Sequence, residues 1–160
     1  MKMNIEPMNY DGAKQISKWI YKEPYSIYSM DGSENCISEL LNGTYFLVSD
    51  EENNIIGYYC FGESAQVPVE NKFGVYNCKD IIDIGLGIKP NLCGQGIGLE
   101  FLSNGLNFAN NKLSVKRIRL TVAAFNQRAI KVYKSAGFEK INSFVRISET
   151  EEVEFWVMLK

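Results

Sequence analysis

The sequence predicts a mixed α/β fold, and three observations lead there. The elements run β-α-α-β-β-β-α-β-α-β-β, with strands in clusters and a strand–helix–strand alternation in the middle alone, the pattern of one parallel crossover in a mixed sheet with helices on both faces. Hydrophobic content of 46% against 22% charged residues in a chain of 160 suits one domain, residues 1–160, that buries a core. Three alternating glycines, Gly94, Gly96 and Gly98, join an apolar strand to a helix and mark a tight backbone turn between them.

In order, Met3–Met8 is a short strand stopped by Pro7. Asp11 is placed to cap a helix whose apolar face is Ala13, Ile16 and Ile20. The aromatic run from Trp19 to Tyr28 is broken by Pro24 and reads as a loop or an irregular helix end. Ser33 caps a second helix, with Ile37, Leu40 and Leu41 inward and Gly43 at its end. Thr44–Ser49 and Ile55–Gly62 flank the turn Asp50–Asn54 and form an antiparallel hairpin. Glu63 to Asn77, with Pro68 and Gly74, is a long loop, of the kind that carries function in a compact domain.

Ile81–Ile88 is the next strand, and its Gly85 and Gly87 suggest a bulge or a close backbone approach. A helix runs from Gly98 to about Asn111, with Leu102, Leu106, Ala109 and Leu113 at helical spacing. Val115–Val122 alternates Ile118, Leu120 and Val122 against Arg117, Arg119 and Thr121, a half-buried strand. Asn126 caps a helix from Gln127 to Ser135 that Gly137 ends. Phe138–Ile147 and Glu152–Leu159 close the chain as a hairpin around Ser148–Glu151.

The glycine turn is the candidate binding element. A helix starts within it, so unpaired N–H groups and the positive end of the helix dipole meet where side chains are missing, which suits a phosphate. A tight turn with no ligand is the bland alternative, but one glycine would make such a turn. Gly98-Leu99-Glu100 lacks the Lys-Ser/Thr of a Walker A loop. The G-x-G-x-G spacing and the basic stretch Lys116-Arg117-Ile118-Arg119 depart from a dinucleotide fingerprint. Some other anionic cofactor remains.

Composition narrows the chemistry. The chain has no histidine, which excludes Ser-His and Cys-His catalysis and histidine-containing zinc sites. Any general base is then a carboxylate, a tyrosine, a lysine or water. The four cysteines, Cys36, Cys60, Cys78 and Cys93, show no C-x-x-C pair and read as reduced structural thiols, with no metal site expected. A net charge of −2 gives no basic surplus to bind nucleic acid broadly, which leaves only a local patch open. The sequence shows no membrane span and no signal peptide, so a cytoplasmic location is expected.

Two segments together resemble one family. Cys93-Gly94-Gln95-Gly96-Ile97-Gly98, between a strand and a helix, is similar to the Q/R-x-x-G-x-G/A signature of the GCN5-related N-acetyltransferases (GNAT), with Cys93 where Gln or Arg is usual. Asn126 to Phe138, an Asn, then a helix carrying Tyr133, then Gly137-Phe138, is similar to their second signature. The resemblance covers essentially the whole chain. It implies a central, mixed, mostly antiparallel sheet of about seven strands flanked by about four helices. It also implies acetyl-CoA as cofactor, an amine acceptor on a protein N-terminus or a small molecule, and an N-acetyltransferase activity; a non-catalytic acyl-CoA-binding module is the alternative. No nucleic-acid or membrane partner is expected, and a homodimer is compatible with it.

The resemblance assigns roles. Backbone N–H groups from Cys93, Gly94, Gln95, Gly96, Ile97 and Gly98 would cradle the pyrophosphate. A backbone N–H in Leu86, Gly87 or Ile88 would polarise the thioester carbonyl. Tyr133 would protonate the leaving thiolate, the alternative being a core aromatic beside Ile130 and Ala129. Asn126 would contact the pantetheine, or an ordered water near it, as well as cap its helix. The incoming amine must be neutral, and lysine, with a pKa of about 10.4, needs more help than an α-amine at about 7.7–8.0. With no histidine, Glu63 and Asp83 are the candidate bases, directly or through water; a solvated loop residue and a satisfied strand carboxylate are the plain readings of the two. Lys131 and Lys134 either meet the 3′-phosphate or form a solvated helix face. Tyr21, Tyr25 and Tyr28 either wall the acceptor pocket or pack on the core.

Overall fold

The structure is a computed structural model that describes residues 2–67, 80–114 and 117–160. Most of the long loop expected after Glu63, Cys78 and the first two residues of the strand expected from Val115 lie outside the described residues.

Among the described residues the elements are β1 (Asn4–Pro7), α1 (Tyr10–Ile16), α2 (Glu34–Leu40), β2 (Tyr45–Ser49), β3 (Ile55–Phe61), β4 (Ile81–Ile88), α3 (Gly98–Leu113), β5 (Arg117–Ala123), α4 (Gln127–Ser135), β6 (Glu139–Ile147) and β7 (Glu152–Leu159). They build a seven-stranded sheet in the order β1-β2-β3-β4-β5-β7-β6. β4 and β5, joined through α3, pair parallel, whereas β1–β2, β2–β3, β5–β7 and β6–β7 pair antiparallel. This is the mixed, mostly antiparallel sheet with four helices that the sequence led us to expect. The chain gathers into two compact units, one from the described residues of Met1–Cys60 and Leu86–Ile97, the other from those of Phe61–Gly85 and Gly98–Lys160.

In the first unit α1 starts earlier than expected. Asn9, not Asp11, is the N-cap: its backbone is extended and its side chain accepts the Gly12 N–H at 2.8 Å. Asp11 instead sits in the first turn, where its charge complements the helix dipole. Because α1 ends at Ile16, Ile20 falls outside it and is 73% exposed, and Trp19 turns inward in its place. Ser33 caps α2 as expected, accepting the Cys36 N–H at 3.1 Å. That helix stops at Leu40, which is buried, so Leu41 faces out against expectation. Tyr45 pairs with Cys60 and Leu47 with Tyr58, which puts all four side chains on one face of the sheet. α1 packs there: a Cβ on Gly12 would lie 3.0 Å from Leu47 Cδ2. Burial of Ile16, Leu40, Val48 and Tyr59 contributes roughly 1.5–3 kcal/mol for each side chain.

In the second unit α3 buries Phe101, Leu102, Gly105 and Ala109, and runs two residues past the expected end, so that Leu113 is exposed. β5 buries Ile118, Leu120 and Val122 as its alternation predicts. Arg119, expected on the wet face, is buried too, because an acidic partner on β4 receives it. α4 is capped by Asn126 and closed by Gly137 at φ +98°, both as expected. β6 and β7 form the closing hairpin, with a register shift between Lys140 and Asn142 and stacked Phe144 and Phe155 rings 5.6 Å apart. Among the described residues no helix is long and apolar enough to cross a membrane.

Candidate active site

The glycine turn divides into two kinds of glycine. Gly94 and Gly96 have φ of +74° and +82°, the left-handed region that favours glycine. A Cβ on Gly96 would meet nothing within 4 Å, so its outer side is open. Gly98 is different: a Cβ there would lie 3.2 Å from Val132 Cγ2, so this glycine lets α3 pack on α4. The sequence groups all three as ligand-facing; for the third, helix packing is a second reason to lack a side chain. α3 begins at Gly98, so the N–H groups of its first turn lie at the end of an exposed segment, Gly94 to Gly96.

The turn is braced from within. Gln95 Nε2 donates to the Asn91 carbonyl at 2.7 Å. The Cys93 thiol lies 3.5 Å from the Ile88 carbonyl and 3.6 Å from that of Lys89. The residue that departs from the family signature thus ties the turn to the end of β4. Ile97, the last residue before α3, is half-buried.

The last part of β4 is held by aromatic side chains. Lys89 N–H donates to the Ile56 carbonyl on β3 at 2.8 Å. Amides alternate between the two edges of a strand, so those of Leu86 and Ile88 face the edge away from β3. The Tyr21 hydroxyl donates to the Ile88 carbonyl at 2.7 Å. The expected close approach occurs at Gly87: a Cβ there would fall 2.2 Å from Cε1 of Tyr58. Burial pushes the phenols of Tyr21 and Tyr58 above their ordinary range.

In the second unit Asn126 Oδ1 accepts the Ala129 N–H at 3.1 Å, and Tyr133 follows on α4, half-buried, its ring edge-on to Phe138 at 6.2 Å. Lys134 Nζ lies 5.7 Å from the Trp156 ring centre, which gives that lysine an aromatic partner. Lys131 is exposed.

The two candidate bases have opposite surroundings. Glu63 lies in a single 3₁₀ turn, Gly62–Ala65, and is exposed. Asp83 is 2% exposed and has both oxygens engaged: Oδ1 accepts from Arg119 Nε at 2.7 Å, and Oδ2 accepts from Arg119 Nη2 at 2.8 Å and Gln66 Nε2 at 2.9 Å. Of the two readings the sequence left for Asp83, this geometry supports the satisfied strand carboxylate. A carboxylate locked in a guanidinium fork is not placed to collect a proton from an incoming amine. Arg119 and Gln66 were not foreseen in this role. The signal for Arg119 was there, as a charged residue in each of the two apolar strands flanking the crossover.

The sequence matches the acetyltransferase (GNAT) family over residues 11–138. The chain belongs to that family. As a GNAT protein it is an N-acetyltransferase by class, and the family uses acetyl-CoA as cosubstrate. Solved structures share the fold. Mutant forms of the spermidine/spermine N-acetyltransferase SpeG from Vibrio cholerae superpose with a TM-score of 0.71 at 18% identity, covering 99% of this chain and 94% of theirs. A GNAT-family acetyltransferase from Bacillus anthracis gives 0.67 at 14% identity, covering 100% and 95%. A comparison with curated proteins finds no match.

Proposed function

We propose that this GNAT protein transfers an acetyl group from acetyl-CoA to a primary amine, on a small molecule or a protein N-terminus, and that residues 1–160 act as one domain in doing so. The observation that carries the reading is the Cys93–Gly98 turn, with two left-handed glycines and an open side at Gly96, leading directly into α3. Such a turn accepts a diphosphate, because bare peptide N–H groups and the helix dipole favour negative charge and no Cβ intrudes. Acetyl-CoA, when bound, supplies an activated acyl thioester and a thiolate leaving group.

The remaining roles belong to this chain. The amide of Leu86 or Ile88, on the edge away from β3, donates to the acyl oxygen, whereas that of Gly87 points to the β3 side; a fixed donor of this kind stabilises negative charge as it develops there. The Tyr133 hydroxyl gives its proton to the departing sulfur. Asn126 holds the start of α4, which carries that phenol, and contacts the pantetheine. Glu63, exposed and on the second unit's 3₁₀ turn, takes the proton from the amine directly or through water. Asp83 is left out of the chemistry because Arg119 and Gln66 occupy it.

The Vibrio cholerae neighbour is a spermidine/spermine N-acetyltransferase, so those polyamines head the panel of amines to be tried, followed by peptides with free N-termini. The test is release of free thiol from acetyl-CoA in the presence of each amine. Amine-dependent release supports transfer. Tight coenzyme A binding with no release across the whole panel would replace it with a non-catalytic acyl-CoA-binding module.

A further inference from the structure

Tyr58 stands on β3, one strand away from the stretch of β4 to which we assign the acyl oxygen. Its ring leans over the neighbouring strand: a Cβ on Gly87 would lie 2.2 Å from Tyr58 Cε1, 2.5 Å from Cζ and 2.7 Å from the hydroxyl oxygen. The tip of the phenol therefore fills the side-chain volume of the residue midway between Leu86 and Ile88. Two rings in the same unit hold the Tyr58 ring in this position, Trp19 at 6.1 Å and Tyr45 at 5.8 Å between centres. Tyr45 and Trp19 are themselves buried, at 9% and 8% exposure, so the ring has little room to swing away.

The hydroxyl itself has no hydrogen-bond partner among the described residues. The neighbouring Tyr21, by contrast, spends its hydroxyl on the Ile88 carbonyl. Tyr58 thus acts on β4 through bulk. Bulk beside an acyl group is how a site measures chain length, since one misfitting methylene shifts affinity by tenfold or more.

We propose that Tyr58 is a specificity-determining residue that limits the transferred acyl group to acetyl. This rests on the reading above that Leu86–Ile88 holds the acyl oxygen. A methyl beyond that carbonyl fits beside the phenol, whereas a propionyl or butyryl chain has to displace a ring that Trp19 and Tyr45 hold in place.

The test measures binding of acetyl-CoA and butyryl-CoA by calorimetry, with turnover of both as a second readout, in the wild-type chain and in Tyr58→Leu, which shortens the side chain and keeps it apolar. The wild-type chain should prefer acetyl-CoA by about tenfold, and Tyr58→Leu should cut that preference to about threefold or less. Tyr58→Phe keeps the ring and its packing and removes the hydroxyl alone; it should give an intermediate ratio, and it carries the test should Tyr58→Leu fail to fold. An acetyl-to-butyryl ratio that stays at the wild-type value in the folded variants overturns the proposal while leaving the acetyl-CoA reading intact. A wild-type chain that binds neither acyl-CoA overturns that reading, and this proposal with it.

Discussion

Asp83 on β4 and Arg119 on β5 are register partners in the parallel pair, and they meet as a two-point fork at 2.7 and 2.8 Å with almost no exposure. Removing one member leaves the other charge buried and alone, which costs about 3–5 kcal/mol. Asp83→Asn or Arg119→Met should therefore lower the unfolding free energy measured by denaturant titration by that much. The double variant Asp83→Leu/Arg119→Met should recover most of the loss, because an apolar pair of similar volume is often neutral. Two single losses that simply add in the double variant would show that the fork contributes nothing as a pair.

Tyr133→Phe removes one oxygen from a half-buried side chain whose ring packs on Phe138. Turnover should fall by about 10²-fold, the low end of general acid catalysis, while acetyl-CoA affinity holds. Steady-state kinetics beside calorimetry checks this, and an unaltered kcat removes the phenol from the chemistry.

Gly96 and Gly98 make opposite predictions despite their shared motif. Gly96→Asp places a side chain on a left-handed residue and a negative charge on an open cradle, so coenzyme A binding should vanish while the folded chain persists. Gly98→Val pushes against Val132, and should cost about 1–3 kcal/mol of stability by overpacking. Thermal melts and coenzyme A titrations on the two variants separate a binding glycine from a packing glycine.

Alkaline pH should unfold this chain through its tyrosines. Tyr21, Tyr45 and Tyr58 are all pushed above the ordinary phenol range, chiefly by burial. In the unfolded chain they release protons near pH 10, whereas the folded state retains them. The unfolded state then binds fewer protons, so the stability present below about pH 10 is lost as pH rises beyond it. Tyrosinate absorbance should appear in step with the loss of secondary structure; a smooth early titration of all nine tyrosines would contradict it.

Much of this was legible in the sequence because local rules governed it. The bounds of β4, the Asn126 cap, the Gly137 stop and the parallel crossover through α3 follow from spacing and turn chemistry. The misreadings occur where a neighbour distant in sequence decides. Arg119 looks solvated by alternation and is buried because Asp83, 36 positions earlier, receives it. Gly98 reads only as part of the glycine turn, and its second role, making room for Val132, shows only once α4 is placed beside it. Ile20 and Leu41 belong to helical periodicities that continue on paper after the helices have stopped. The left-handed glycine turn and the place of Tyr133 on α4 were legible from motif, whereas the approach of Tyr58 to Gly87 was not, since no pattern in β3 reveals what lies across from it.

Gly87 and Tyr58 divide one small volume, and this orders how the chain can drift. A larger residue at 87 is closed to any lineage that still carries the phenol at 58, so shortening at 58 has to come first. Among descendants and cousins of this chain, size at the two positions should be anticorrelated, and sequences that have gained bulk at 87 should already have surrendered the ring.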